Sequence, residues 1–340
     1  MTTALHIEPT RSWTAPQTHY LTAMTSSWYR MLVELQDTLT SSTVAFWSER
    51  GLRFGHLPIT TGSISSPMGR GSDSRPVEVS MFGVQTYLAD SMQFGLEYLC
   101  RLSPRGAYYL MPSFRGEATD GTHLAQFFHS EAEVPGGLDV VLPLVEAYVR
   151  RLTTDLLAAH ESQLASAVGG EPAHLYRLLD RTESFGRFTF DEAAELLGHD
   201  PRYIRSEAGW RTMTRAGEAE LMRRAGDFVW VTHWDHQATP FYQAVDDRGR
   251  ALNGDLLFGP GEVVGCGERH ATAAAVRAAL ASHGVSADTY DWYLQMKETA
   301  PLQTAGFGLG VERFLMWLTG NADIRDFAIF LRENGSNIVP

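Results

Sequence analysis

The 340-residue chain has two cysteines, Cys100 and Cys266, too few for a disulfide framework or a cysteine-built zinc site, and this usage fits a reducing compartment. It has no apolar run approaching the roughly 20 residues that span a bilayer. Its opening residues, MTTALHIEPTRSW, lack the charged-then-apolar order of a signal peptide. These absences predict a cytoplasmic protein with no membrane partner. Positive charge is also short: the formal net charge of -12 leaves no basic footprint for DNA, although a local patch could still touch nucleic acid. There is no internal repeat and no low-complexity tract. What is present, 44% hydrophobic and 11% aromatic residues, supports a large core in one enzyme-sized domain.

Along the chain, residues 1–18 read as an irregular arm rich in Thr and Pro, and 19–340 as a single catalytic domain. Apolar residues at helical spacing, among them Met31, Leu32, Leu35 and Leu39, predict one long helix over about 20–50. Residues 57–76 are crowded with Gly, Ser and Pro, which is loop chemistry of a length that is usually functional. A strand, a helix and another strand follow over 77–113, then a returning antiparallel strand in LAQFFHSEAEV. Residues 138–168 form the longest amphipathic helix, and about 171–224 reads as a helical insertion. Strands in 227–310 with helices near 271–284 and 309–319 complete an α+β pattern on an antiparallel sheet.

The stretch AGFGLGVERF (305–314) has the look of a phosphate-cradling loop. A dinucleotide fingerprint needs Gly-x-Gly-x-x-Gly opening a β-α-β unit, whereas here the spacing is Gly-x-Gly-x-Gly close to the end of the sequence. No Gly-Lys-Ser/Thr follows, so a Walker loop is excluded too. Alternate glycines on a strand clear one face for a flat ring, and an arginine just inside the next helix can reach a phosphate with a planar fork of donors.

GFGLGVERFLMWLTGNADIRDFAIFLR (306–332) and FRGEATDGTHLAQFFHSEAE (114–133) resemble the third and second signature motifs of class II aminoacyl-tRNA synthetases, in the asparaginyl and aspartyl branch. The resemblance implies a class II antiparallel sheet flanked by helices, with the insertion between motifs 2 and 3, and ATP and Mg²⁺ as cofactors. It assigns Arg115 to the α-phosphate and the attacked carboxylate, where charge shifts in adenylation. Glu117 falls on the adenine amino group, Phe127 and Arg313 on the two faces of the adenine, and His123 on the outer phosphates; Gly310 lies beneath the nucleotide. In GDLLFGPGEVVGCGER (254–269), Asp255 and Glu262 are the implied metal carboxylates, a hard oxygen pair suited to Mg²⁺ beside phosphates. Arg115, Arg313 and Glu262 form the implied catalytic set. Arg269 is placed on the substrate side chain, and the Ser-x-Gln segment puts Ser91 and Gln93 at the amino acid. Glu97 lies next to Leu96, which stands where aspartyl enzymes carry a lysine. The lid-like loop brings Ser65, Ser66 and Asp73 into the amino-acid set. A homodimer paired through 46–61 is also implied.

The sequence departs from that branch in places. Thr122 stands where an arginine normally precedes the histidine, and Gln126 where a glutamate is usual. Fewer than 20 residues precede the first long helix, against the β-barrel of about a hundred residues with which the branch reads the anticodon. The expectation is therefore an asparagine synthetase-like ligase. It would form an aspartyl adenylate and pass the acyl group to ammonia or a small amine, releasing AMP and pyrophosphate, with tRNA an unlikely partner. Two alternatives stay open: acyl transfer to tRNA or a protein acceptor, and a catalytically silent regulatory paralogue.

Overall fold

Two rows of residues, one register step apart on the same strands, explain how this chain builds a site on one face of a sheet and a core on the other. The computed structural model describes residues 6–65, 75–333 and 335–338. The chain opens with α1 (His19–Thr25) and α2 (Ser27–Glu49), then β1 (Arg53–Phe54), β2 (Thr60–Thr61), β3 (Val77–Met81), β4 (Val84–Leu88), α3 (Gln93–Leu102), β5 (Ala107–Phe114), β6 (Gln126–Pro135) and α4 (Leu138–Val168). Next come α5 (Ala173–Asp180), β7 (Gly186–Thr189), α6 (Phe190–Leu196), β8 (Ile204–Glu207), β9 (Trp210–Met213) and α7 (Arg215–Ala225). The last third holds β10 (Val229–Thr232), β11 (Asn253–Phe258), β12 (Gly261–Glu268), α8 (Ala273–His283), α9 (Asp291–Thr299), β13 (Thr304–Gly310) and α10 (Val311–Thr319).

The main sheet has eight strands in the order β1-β5-β6-β13-β12-β11-β10-β7. Its edge strands β1 and β7 pair parallel to β5 and β10, and all pairings between β5 and β10 are antiparallel. Because side chains alternate between faces, the register sorts residues cleanly. One cross-strand row runs Tyr108, Ala132, Phe307, Cys266, Gly254. This row faces α2 and α4, where Trp47 and Tyr148 pack on Phe307 with centroids 5.6 and 5.7 Å away. The adjacent row runs Tyr109, Glu131, Gly308, Gly265, Asp255 and faces the other way. Core and site are thus the two sides of the same strands.

The predicted long first helix is split. Ser26 adopts an extended conformation, and its side chain accepts from the Trp28 amide, which caps α2 and breaks it from α1. The arm ahead of it is held by side chains: Trp13 Nε1 donates to Asp326 Oδ1 at 2.7 Å, Trp28 Nε1 donates to the Asp326 carbonyl at 2.8 Å, and His19 Nε2 meets the Ala328 and Ile329 carbonyls. The segment 171–224 is less helical than expected. It contributes β7 to the edge of the main sheet and folds the β8–β9 hairpin between its helices. Short charged strands such as Ile204–Glu207 lack the alternation that marks a strand in sequence.

Candidate active site

The site face of β5, β6, β12 and β13 floors a cleft of about 270 Å³. Seven of the residues expected from the sequence line it together: Arg115, Glu117, His123, Phe127, Glu262, Gly310 and Arg313. Arg115 leaves the end of β5, and its guanidinium lies 5.3 Å from the Phe127 ring centroid. Its Nε is buried with no hydrogen-bond partner. Arg313, in the first turn of α10, donates to the Glu262 carbonyl at 2.7 Å. Among the described residues, neither arginine has a carboxylate within ion-pair distance. The Glu117 carboxylate accepts from the Arg75 amide at 3.1 Å, where the chain returns from the loop. The floor itself is open at its end, since a Cβ added at Gly310 would meet only Arg313, at 3.8 Å.

Asp255 and Glu262 flank Gly265, whose added Cβ would come within 3.1 Å of Glu262 Oε1 and 3.7 Å of Asp255 Oδ1. Burial, then the charges of Glu262 and Glu218, push the Asp255 carboxyl well above its usual range. A cation would relieve that repulsion, so the donor set fits Mg²⁺. Among the described residues no group of three or more His, Cys, Asp or Glu is placed to hold a metal ion. The pair therefore fits a hard cation whose remaining ligands are phosphate and water oxygens.

Three charged lining residues were not found from sequence, and two of them come from the 171–224 segment. Glu218 of α7 accepts from the Glu262 amide at 3.2 Å, and burial pushes its carboxyl up to about 7, with Glu262 adding to the shift. Arg215, three residues earlier in α7, donates to Thr122 Oγ1 and, at 2.7 Å, to His123 Nε2. His123 Nε2 must then accept, which leaves the proton on Nδ1, 3.2 Å from Asp120 Oδ1. Glu312 was also missed. It is buried beneath the cleft, takes the Phe128 amide with both oxygens, and is pushed up to about 7 by burial.

The expected amino-acid residues form a second group beside the cleft, and their ions are already matched. Arg269 donates to both oxygens of Glu133 at 3.1–3.3 Å and to Gln243 Oε1 at 3.2 Å. Burial drives the Glu133 carboxyl up to about 7 against the pull of Arg269. Glu97 has no exposed surface; its carboxylate receives Lys297 Nζ at 2.5 Å and the Tyr293 hydroxyl at 2.8 Å. Lys297 is the only lysine in the chain, and that singularity was the one sequence signal that could have marked it. Ser91 donates to Glu131 Oε2 at 2.7 Å. The Gln93 side chain is buried next to the Tyr242 hydroxyl. Ser65 is tied to Asp90 through both its amide and its hydroxyl, at 3.0 and 2.9 Å. Ser66 and Asp73 lie outside the described residues.

The family described as tRNA synthetases class II (D, K and N) matches residues 14–334. The chain belongs to this family. This synthetase is 29% identical over 325 residues to the asparagine–tRNA ligase of Bacillus anthracis, covering 86% of this chain and 68% of that one. Its fold is that of the asparaginyl-tRNA synthetase of Pyrococcus horikoshii complexed with asparaginyl-adenylate, with a TM-score of 0.82, 21% identity, and coverage of 92% of this chain and 71% of that one. The Entamoeba histolytica asparaginyl-tRNA synthetase in complex with asparaginyl-adenylate gives a TM-score of 0.81 at 21% identity, over 95% and 71% of the two chains. The expected fold class and branch are confirmed.

Two expectations fall to the same findings. An ammonia-using, asparagine synthetase-like ligase is not what the relatives are, and tRNA, set aside as a partner from the short N-terminal segment and the acidic charge, stands in the relatives' names. Both errors came from weighing what precedes the first helix above the identity of the core. No helix among the described residues is long and apolar enough to cross a membrane.

Proposed function

We propose that this synthetase activates asparagine with ATP and transfers the asparaginyl group to tRNA. The observation that carries the reading is the set of arginines, Arg115 and Arg313 from two elements and Arg215 from a third, gathered over a glycine floor with no carboxylate within ion-pair distance among the described residues. Such a set calls for a polyanion. Phe127 and Arg313 would hold the adenine between them and Glu117 would accept from its amino group. Arg115 would neutralise charge at the α-phosphorus as a carboxylate oxygen of the amino acid attacks it and the bond to pyrophosphate breaks. Asp255 and Glu262 would hold Mg²⁺, which when bound supplies charge neutralisation to the phosphates. A tRNA hydroxyl would then attack the acyl carbon, its proton passing to a phosphate oxygen of the departing AMP, which leaves with the electrons of the broken acyl–phosphate bond.

Asparagine is favoured over aspartate by charge as well as by the relatives' names. The amino-acid side carries Arg269 with Glu133 and Lys297 with Glu97, each cation matched by a carboxylate. A lining of that balance suits an uncharged amide, whereas a carboxylate would enter with no unpaired cation among the described residues of that group to meet it. The test is ATP–pyrophosphate exchange over a panel of amino acids, followed by retention of labelled asparagine on tRNA. Asparagine-dependent exchange and tRNA-bound label are expected. Exchange with no amino acid would sink the reading, and exchange with aspartate alone would overturn the choice of substrate.

A further inference from the structure

We propose that Arg215 binds the outer phosphates of ATP, so that the 171–224 segment supplies to the cleft the guanidinium that the loop between β5 and β6 lacks at Thr122. The proposal rests on the ATP-site reading above and extends it to a residue on a separate element.

Placement is the first argument. Arg215 lines the same cleft as Arg115 and Arg313, but on its loop side, against Thr122 and His123. Arg115 and Arg313 rise from the sheet and from α10, beside Phe127 and Gly310, so a nucleotide lying over Phe127 would run its phosphates from them toward the loop and Arg215. The position is also built. Thr214 caps α7 by accepting from the Gly217 amide, and Glu218 docks the helix onto the turn before β12 through the Glu262 amide. That docking needs Gly261: its φ is +122°, and a Cβ there would come within 2.4 Å of Glu218 Oε2.

Charge is the second argument. Arg177, Arg202, Arg205, Arg211, Arg223 and Arg224 of the same segment each pair with an Asp or Glu, whereas Arg181, with no carboxylate in ion-pair distance among the described residues, donates to a backbone carbonyl. Arg215 instead meets the Thr122 hydroxyl and His123 Nε2, and no carboxylate among the described residues lies within ion-pair distance of it. Glu218, one turn along α7, attracts Arg215 from beyond ion-pair distance, so the hydroxyl and the imidazole can be exchanged for a phosphate, whose oxygens match the planar fork of the guanidinium. His123, released from Arg215, can turn to the same anion. Thr122 is too short to do so, and its hydroxyl meanwhile steers Arg215 into the cleft.

The test is calorimetric titration of the full chain and of Arg215→Ala with ATP, pyrophosphate and AMP, each with Mg²⁺, alongside thermal melts. Arg215→Ala should lower affinity for ATP and pyrophosphate roughly 10- to 100-fold, the weight of losing a charge-assisted contact. AMP, which has no outer phosphates, should bind unchanged. Adding Thr122→Arg to Arg215→Ala should restore most of the ATP affinity. Loss of AMP affinity in step with ATP would show a structural role and overturn the proposal. So would unchanged ATP affinity, including the case where only the KM for tRNA rises because the arginine meets a tRNA phosphate. A wild-type chain that binds neither ATP nor AMP is a different result, which removes the ATP site and this inference with it.

Discussion

The two halves of the site share one sheet face and treat charge in opposite ways. Over Gly308 and Gly310, Arg115, Arg215 and Arg313 stand with no carboxylate within ion-pair distance among the described residues, and the glycine floor is bare at its end. Over Gly306 and Gly267, one step further along β13 and β12, the chain fills the space itself. A Cβ at Gly306 would run into the Glu133 carboxylate and one at Gly267 into the Gln243 amide. On the proposed function, the first half is preorganised to receive an anion, and the second is preorganised around its own ion pairs, so selection there would work by fit and hydrogen bonding against a neutral background.

The strongest way to break the contrast is at Lys297. Lys297→Met leaves Glu97 buried with only the Tyr293 hydroxyl as partner, and removing one member of a buried pair costs about 3–5 kcal/mol. Urea denaturation should show that loss, and Glu97→Gln added to Lys297→Met should recover most of it. Preserved stability in the single variant would mean that the pair is not what closes this half. On the open side the expected effect moves from folding to catalysis. Arg313→Ala removes a cation with no carboxylate partner, so the melting temperature should hold while asparagine-dependent exchange falls by about 10²–10³-fold. A drop in melting temperature of similar weight to that of Lys297→Met would erase the distinction. The finest comparison is between two glycines of one strand. Gly306→Ala should destabilise the fold by about 1–3 kcal/mol through overpacking against Glu133 and the Ala132 carbonyl. Gly310→Val should leave the melt unchanged and weaken ATP binding roughly tenfold by filling space above the floor. Equal effects on melting at the two positions would argue against two differently occupied halves.

How much of this could be read in advance follows the same divide. Arg115, Glu117, His123, Phe127, Glu262, Gly310 and Arg313 sit in three short local stretches that the resemblance to the synthetase branch picks out, and they do meet in one cleft. Glu97 was legible as a position but not as half of a buried ion pair, because Lys297 lies 200 residues away in α9 and only the fold brings it there. Arg215 and Glu218 were hidden for a related reason. The segment that carries them reads as charged and helical, and nothing local reveals that β7 and α7 pack it onto β10 and the β11–β12 turn. Ser26 was overlooked because a polar residue in a run of helix formers reads as part of the helix, although its hydroxyl competes for a nearby amide.

The contact between Trp28 and Asp326 has a bearing on how the protein is made. The indole that heads α2 donates to a carbonyl 298 residues later, and Trp13 and His19 likewise find their partners beyond residue 325. At a synthesis rate of about 5–20 residues per second, α2 spends roughly 15–60 s on the ribosome before that carbonyl is added to the chain. Throughout that time the apolar stripe of α2 is without its final cover, so nascent chains of this protein are good candidates for chaperone capture until the last helix has cleared the exit tunnel.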